Sequence, residues 1–195
     1  FTIYRHDVNN LNSLPDDEIL KIYLDREENL WIATGEGLAK YNSATDNFIV
    51  YQHNPNNINS LSDNRTNAIY QDKAGIYWIG TSKGLNRYDA KANKFTAYLY
   101  DEKLPTSISN DLVTAICEDR EGNLWVGTEE GLNKLDPKTN TFTRYFNDPK
   151  QSGTISANNV LSLYLDNSGS LWIGTYGGGL NKFDPITNSF TAYLN

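Results

Sequence analysis

Cysteine and histidine are scarce in these 195 residues: one Cys, two His, and no Met at all. Cys117 alone excludes an intrachain disulfide and a cysteine-rich metal site. It stands where Tyr23, Tyr70 and Tyr164 stand in matching stretches, so it reads as a small buried hydrophobe. His6 and His53 lie 47 residues apart in like surroundings, a repeated position that suits loop structuring better than a unique proton-transfer centre. Basic residues number 17 against 24 acidic ones, giving a net charge of −7. Without a basic patch the chain is not expected to bind nucleic acid. No apolar run approaches the ~20 residues of a membrane span, so this segment is not expected to touch a bilayer. No leader is recognisable, and with Phe1 first the sequence reads as a trimmed piece.

Aromatic residues are plentiful, with 4 Trp, 13 Tyr and 7 Phe. Trp31, Trp78, Trp125 and Trp172 follow one another at steps of 47 residues. Each sits in one phrase, as in Leu124-Trp125-Val126-Gly127-Thr128 and Leu171-Trp172-Ile173-Gly174-Thr175. A fixed period of this length announces a repeat architecture. Aligned on Trp, each repeat holds four short strands. The first ends at Asp25, Asp72, Asp119 or Asp166, with Gly75, Gly122 or Gly169 three residues after the last three of these. That spacing is hairpin chemistry, the carboxylate accepting from turn amides and the glycine taking a positive φ. The third strand follows Gly37-Leu38 and its counterparts, and the fourth has the form Phe-x-x-Tyr.

Four-stranded antiparallel units of this size predict an all-β fold, a β-propeller with four blades in this chain. The blades fall at about 5–51, 52–98, 99–145 and 146–193 of a single array, with an additional outer strand at 1–4. The tryptophans have a structural role, wedging between adjacent blades, while the Gly two residues later admits the next sheet.

The phrases Asp119-Arg120-Glu121-Gly122-Asn123-Leu124-Trp125-Val126-Gly127-Thr128, Gly131-Leu132-Asn133-Lys134 and Phe142-Thr143-Arg144-Tyr145 resemble two-component regulator propeller repeats. The resemblance spans essentially the whole chain. It implies the periplasmic sensor region of a hybrid two-component receptor, a region thought to sense oligosaccharides. Four repeats fall short of the seven blades usual in that family.

No catalytic residue, metal ligand or cofactor is expected. The repeated aspartates are accounted for by turns, the recurring Ser13, Ser60 and Ser107 by loop capping, and no calcium-loop run occurs. The short loops after the Trp phrase vary in charge on a constant frame, which makes Glu36, Lys83, Glu130 and Tyr176 the candidate ligand-binding residues. An oligosaccharide suits such a rim, its hydroxyls bonding to polar side chains and its ring face stacking on Tyr176. The rival expectation is a structural module that self-associates, two four-blade chains making an eight-bladed ring. Five outer-strand phrases in four repeats favour association over the other alternative, a self-closed four-blade disc, because a closed propeller needs only four.

Overall fold

The computed structural model describes residues 1–193, and among these it has sixteen strands and no helix. Four antiparallel sheets follow one another, each built from four consecutive strands in order. The first comprises β1 (Ile19–Leu24), β2 (Leu30–Thr34), β3 (Gly37–Asn42) and β4 (Asn47–Tyr51). The second comprises β5 (Thr66–Gln71), β6 (Tyr77–Thr81), β7 (Gly84–Asp89) and β8 (Lys94–Tyr98). The third runs through β9 (Val113–Glu118), β10 (Leu124–Thr128), β11 (Gly131–Asp136) and β12 (Thr141–Tyr145). The fourth has β13 (Val160–Leu165), β14 (Leu171–Thr175), β15 (Gly179–Asp184) and β16 (Ser189–Tyr193). These are propeller blades, as the repeat predicts. The chain divides into two compact units, Phe1–Ala97 and Tyr98–Asn195, with two blades in each.

One carboxylate organises each blade. At the end of β1, Asp25 Oδ1 accepts from the amides of Glu27 (3.0 Å) and Asn29 (2.8 Å), closing the hairpin. Its other oxygen, Oδ2, accepts from the Trp31 indole at 2.9 Å. The division repeats. Asp72 takes Ile76 N and Trp78 Nε1 at 2.8 Å each, and Asp119 takes Asn123 N and Trp125 Nε1 at the same distance. Asp166 takes Ser170 N at 2.9 Å and Trp172 Nε1 at 2.8 Å. A buried indole N–H needs an acceptor, so the residue that makes the turn also makes the tryptophan buriable. The turns adopt positive φ as expected, at Gly75 (82°), Gly122 (85°) and Gly169 (89°), and Glu28 takes φ 64° in the blade that lacks the glycine.

The ring itself is sandwiched. Trp31 pairs across strands with Lys40, Trp125 with Lys134 and Trp172 with Lys182. In each case the ammonium lies 5.4–5.5 Å from the ring centroid, within cation–π range. In the first unit Trp31 then enters the second blade, 4.9 Å from Tyr77 and 6.4 Å from Tyr88 between centroids. In the second unit Trp125 enters the fourth blade against Phe183 at 4.8 Å. Both tryptophans are buried. The wedge expected between neighbouring blades is therefore present within each unit.

The two packed pairs close differently. In the first unit the Tyr77 hydroxyl donates to Asp25 at 2.7 Å, and Thr66 donates to Gly37 O (2.9 Å) while accepting from Thr34 N (3.0 Å). In the second unit the counterpart of Thr66 is Val160, and it lies on Gly127. A Cβ added at Gly127 would come within 2.5 Å of Val160 Cγ1, so glycine there is what lets the next sheet approach. Every first strand carries a bulge at the same place, opposite the end of the Trp strand. The pairs that follow it are small, Ala68–Gly80, Ala115–Gly127 and Ser162–Gly174, whereas the first blade has Lys21–Ala33.

Connecting segments double as covers. The link entering each blade bonds to that blade's fourth strand, Phe48 N to Asn12 O at 2.9 Å and Phe95 N to Asn59 O at 2.8 Å. Phe142 N to Thr106 O and Phe190 N to Gly153 O repeat it at 2.8 Å. This masks part of an otherwise open edge.

Residues 1–4, expected as an outer strand, join no sheet. An outer strand needs the third strand of its own blade alongside, and none lies beside these residues. Their tyrosine nevertheless packs against the first blade. Tyr4 lies 5.9 Å from Tyr41 and 5.5 Å from Phe48 and donates to Asp46 at 2.6 Å. Tyr145 makes the same set with Phe183, Phe190 and Asn188.

Three outcomes follow from this packing. Trp125→Ala should lower unfolding free energy by about 3–5 kcal/mol in denaturant titration, and Trp172→Ala, whose ring is only half-buried, by less. Gly127→Ala should cost about 1–3 kcal/mol through overpacking, and a double-mutant cycle with Val160→Ala should recover part of that loss. The third concerns pH. Burial would raise the Asp25 carboxyl, but hydrogen bonds from Trp31, Tyr77 and Asn29 outweigh it and hold it at about 2. Such a depressed group stabilises the fold above its ordinary value near 4 and loses that contribution as pH falls towards 2. Stability measured across that window should fall in the wild type and fall less steeply in Asp25→Asn.

Candidate ligand-binding rim

The turns that follow the Trp phrase are held by the threonine ending it. Thr34 Oγ1 donates to Gly37 O at 2.8 Å, Thr81 to Gly84 O at 3.0 Å, Thr128 to Gly131 O at 2.8 Å and Thr175 to Gly179 O at 3.1 Å. A second tether joins each turn to the link just before the blade's first strand. Gly35 N reaches Glu18 O (3.2 Å), Ser82 N reaches Arg65 O (3.1 Å), Glu129 N reaches Leu112 O (3.1 Å) and Tyr176 N reaches Asn159 O (2.8 Å). In every blade, short turn and long link therefore meet at one end, as expected of a propeller rim.

Beneath the turns lies a polar clamp in three blades. Asn86 Nδ2 donates to Ser62 Oγ at 2.8 Å while Ser62 N donates back to Asn86 Oδ1 at 3.0 Å. Asn133 with Ser109 and Asn181 with Ser156 repeat it, and all three asparagines are fully buried. The first blade has Pro15 and Ala39 at these places. Proline has no N–H to donate, so a buried amide there would lose its partner, and alanine avoids that cost.

In the first unit the structure places the exposed Glu36 and Lys83 on either side of one link. Glu36 Oε2 accepts from Asn64 Nδ2 at 3.2 Å, and Lys83 Nζ lies 3.2 Å from Asp63 Oδ2. Beside them Arg65 makes a two-pronged pair with Glu18, at 2.9 and 3.2 Å, which pushes the guanidinium further up from its ordinary value. Gly35 is confined by Asp16 and Glu18, whose carboxylates a Cβ would strike. In the second unit Glu130 is exposed, and Tyr176 is 73% exposed at the head of a glycine turn. Gly177 in that turn has φ 74°, and Gly178 O accepts from Ser156 Oγ at 2.5 Å. Asp63, Asn64, Arg65 and Glu18 thus join the sequence-derived set. Their signal was weak because the link's path decides which of its polar residues faces the turn.

The histidines serve their links. His6 Nδ1 lies 2.8 Å from Leu14 O and His53 Nδ1 lies 2.6 Å from Leu61 O, so these nitrogens act as donors. Asn147 Nδ2 donates to Ile155 O at 2.7 Å from the same repeat position. Cys117 is buried, and burial raises its thiol to about 12, far from a reactive thiolate. Among the described residues no group of three or more His, Cys, Asp or Glu is placed to hold a metal ion.

No curated protein matches the chain. Among solved structures, it is similar to an extracellular domain from B. thetaiotaomicron assigned to a hybrid two component system. The identity is 28% and the TM-score 0.79, over 92% of this chain and 25% of that one. A second B. thetaiotaomicron extracellular domain, assigned to a one component system, is 22% identical at TM-score 0.66, over 98% of this chain and 33% of that one. Virginiamycin B lyase from Staphylococcus aureus shares the fold alone, at 12% identity and TM-score 0.66, over 91% of this chain and 56% of that one. The chain thus spans about a quarter to a third of the two B. thetaiotaomicron domains. The family model described as two component regulator propeller matches residues 13–36, 60–83, 107–130 and 154–177, one match in every blade. The chain belongs to the two-component regulator propeller repeats.

Proposed function

We propose that this chain is a non-catalytic ligand-sensing segment from the extracytoplasmic, periplasmic region of a hybrid two-component receptor, and that its rim binds an oligosaccharide. The observation that carries this reading is the 28% identity, over 92% of the chain, to an extracellular domain of such a system. The rim supplies suitable chemistry. In the first unit Glu36 and Asp63 offer acceptors and Asn64 and Lys83 offer donors; in the second, taken by itself, Tyr176 offers an exposed ring for a sugar face. Each of the Glu36–Asn64 and Lys83–Asp63 pairs has one exposed and one half-buried partner, and such surface contacts are worth little in water, so a ligand exchanges them at low cost. A non-enzymatic role accords with histidines committed to backbone carbonyls and a thiol kept protonated by burial.

Calorimetric titration with a panel of oligosaccharides tests the reading. One class should bind, and Lys83→Ala should weaken it by about tenfold where the first unit's turns make the contact, Tyr176→Ala where the second unit's do, the cost of one good polar or stacking contact. Undiminished binding in both variants would remove these residues from the site. No binding by any sugar, or chromatographic evidence that the chain degrades one, would overturn the function.

A further inference from the structure

The rims of the two units share a frame and differ in chemistry. In the first unit Gln52 lies over Gly37, its Cγ 3.0 Å from where a Cβ would stand, and its amide donates to Glu36 O at 2.8 Å. Ion pairs fasten the rest of that rim, Glu18 with Arg65 and Asp63 with Lys83. Two repeats further on, each of these charges is gone. Leu112 and Asn159 stand for Glu18 and Arg65, and Ala157 and Gly177 stand for Asp63 and Lys83. Aromatic rings replace polar side chains at two places, Phe146 for Gln52 and Tyr176 for Ser82.

Backbone hydrogen bonds fix where these two rings stand. Gly131 N donates to Asn158 O and Tyr176 N donates to Asn159 O, both at 2.8 Å. Two consecutive carbonyls thus hold two different turns, which brings Gly131 and Tyr176 to about 10 Å from each other. The Phe146 ring covers Gly131, with ring carbons 3.0 and 3.1 Å from where a Cβ would stand, and stays 44% exposed. Tyr176 heads the other turn and is more exposed still. That turn is held as well: a Cβ on Gly178 would come within 2.7 Å of Ala157 Cβ, and the Gly178 carbonyl takes the Ser156 hydroxyl. Side chains set in place before a ligand arrives lose little freedom on binding it.

The polar groups beside the rings are open. In the first unit the Asn64 amide is spent on Glu36. The counterparts in the second unit are Asn158 and Glu130. Asn158 Oδ1 accepts from Asn147 N at 2.7 Å, but neither its Nδ2 nor the exposed Glu130 carboxylate makes a hydrogen bond or ion pair among the described residues. We infer that the saccharide seat is this second-unit rim and that it takes an uncharged oligosaccharide. Phe146 and Tyr176 supply faces for pyranose rings, Asn158 Nδ2 donates to one hydroxyl and Glu130 accepts from another. The charges on these turns are Glu129 and Glu130, so a uronate or sulfate would meet two carboxylates. The inference rests on the ligand-sensing reading above and narrows it to one site and one class.

Calorimetric titration of the full chain with cellotetraose, xylotetraose and mannotetraose, beside the anionic trigalacturonate and a chondroitin sulfate disaccharide, tests it. An uncharged probe should bind, with an affinity indifferent to added salt. Phe146→Ala and Tyr176→Ala should each weaken it about tenfold, and Phe146→Tyr, which keeps the ring, should bind like the wild type. Gln52→Ala, the same position in the first unit, should change nothing. Glu130→Ala should also weaken binding, and at an exposed residue with no internal bond it leaves the fold intact. Binding of the anionic probes in place of the uncharged ones would overturn this inference and leave the sensing reading standing. So would an uncharged probe whose affinity survives Phe146→Ala or Glu130→Ala. No binding by any probe would overturn both.

Discussion

An aspartate bonded to the tryptophan six residues later underlies each blade. One oxygen closes the hairpin between the first two strands and the other receives the indole N–H. Without that acceptor, burying the indole would strand a donor in an apolar interface, at a cost comparable with the gain from packing the ring. With it, the largest side chain of the repeat projects from the sheet in a fixed direction, lysine on one face and the next blade's aromatics beyond. The Trp-x-Gly-Thr phrase is then a compact instruction: an aromatic knob, a gap for the neighbouring sheet and a hydroxyl to fasten the turn.

Much of this was legible in the residues. The 47-residue period gave the strand boundaries, the turn residues and the wedge, because each depends on contacts within one repeat or on the same contact made over again. The carboxylate–indole bond was hidden for an instructive reason. Asp25 is explained completely, to a sequence reader, by its turn, and nothing local asks what its second oxygen does. The Ser–Asn clamp was similarly obscure, although the joint change to Pro15 and Ala39 in the first blade was a usable signal. The character of the first-unit interface was not legible in the residues. Tyr77 and Thr66 lace it with side-chain hydrogen bonds, whereas in the second unit the Val160 side chain packs on Gly127 and only its carbonyl is bonded there, to Thr114 Oγ1 at 2.6 Å.

The rim was legible as a place and opaque as a surface. Sequence variation on a constant frame located Glu36, Lys83, Glu130 and Tyr176 on turns that the structure ties to the inter-blade links. Their neighbours come from those links, whose course depends on hydrogen bonds such as His53 N to Asn64 Oδ1 (2.7 Å) and Asn54 N to Ser60 Oγ (2.8 Å). The same rigid frame separates stability from the chemistry of the turns. Blade packing rests on the aromatic wedges, so rim residues are free to differ between repeats without disturbing the fold.

Hydrogen exchange at the four indole N–H groups, followed by NMR, tests the central claim most directly. If each indole is bonded to its aspartate, all four protons exchange far more slowly than free tryptophan, and replacing Asp119 by Ala releases only the Trp125 proton. Indole protons exchanging at the rate of the free side chain in the intact protein would contradict the account.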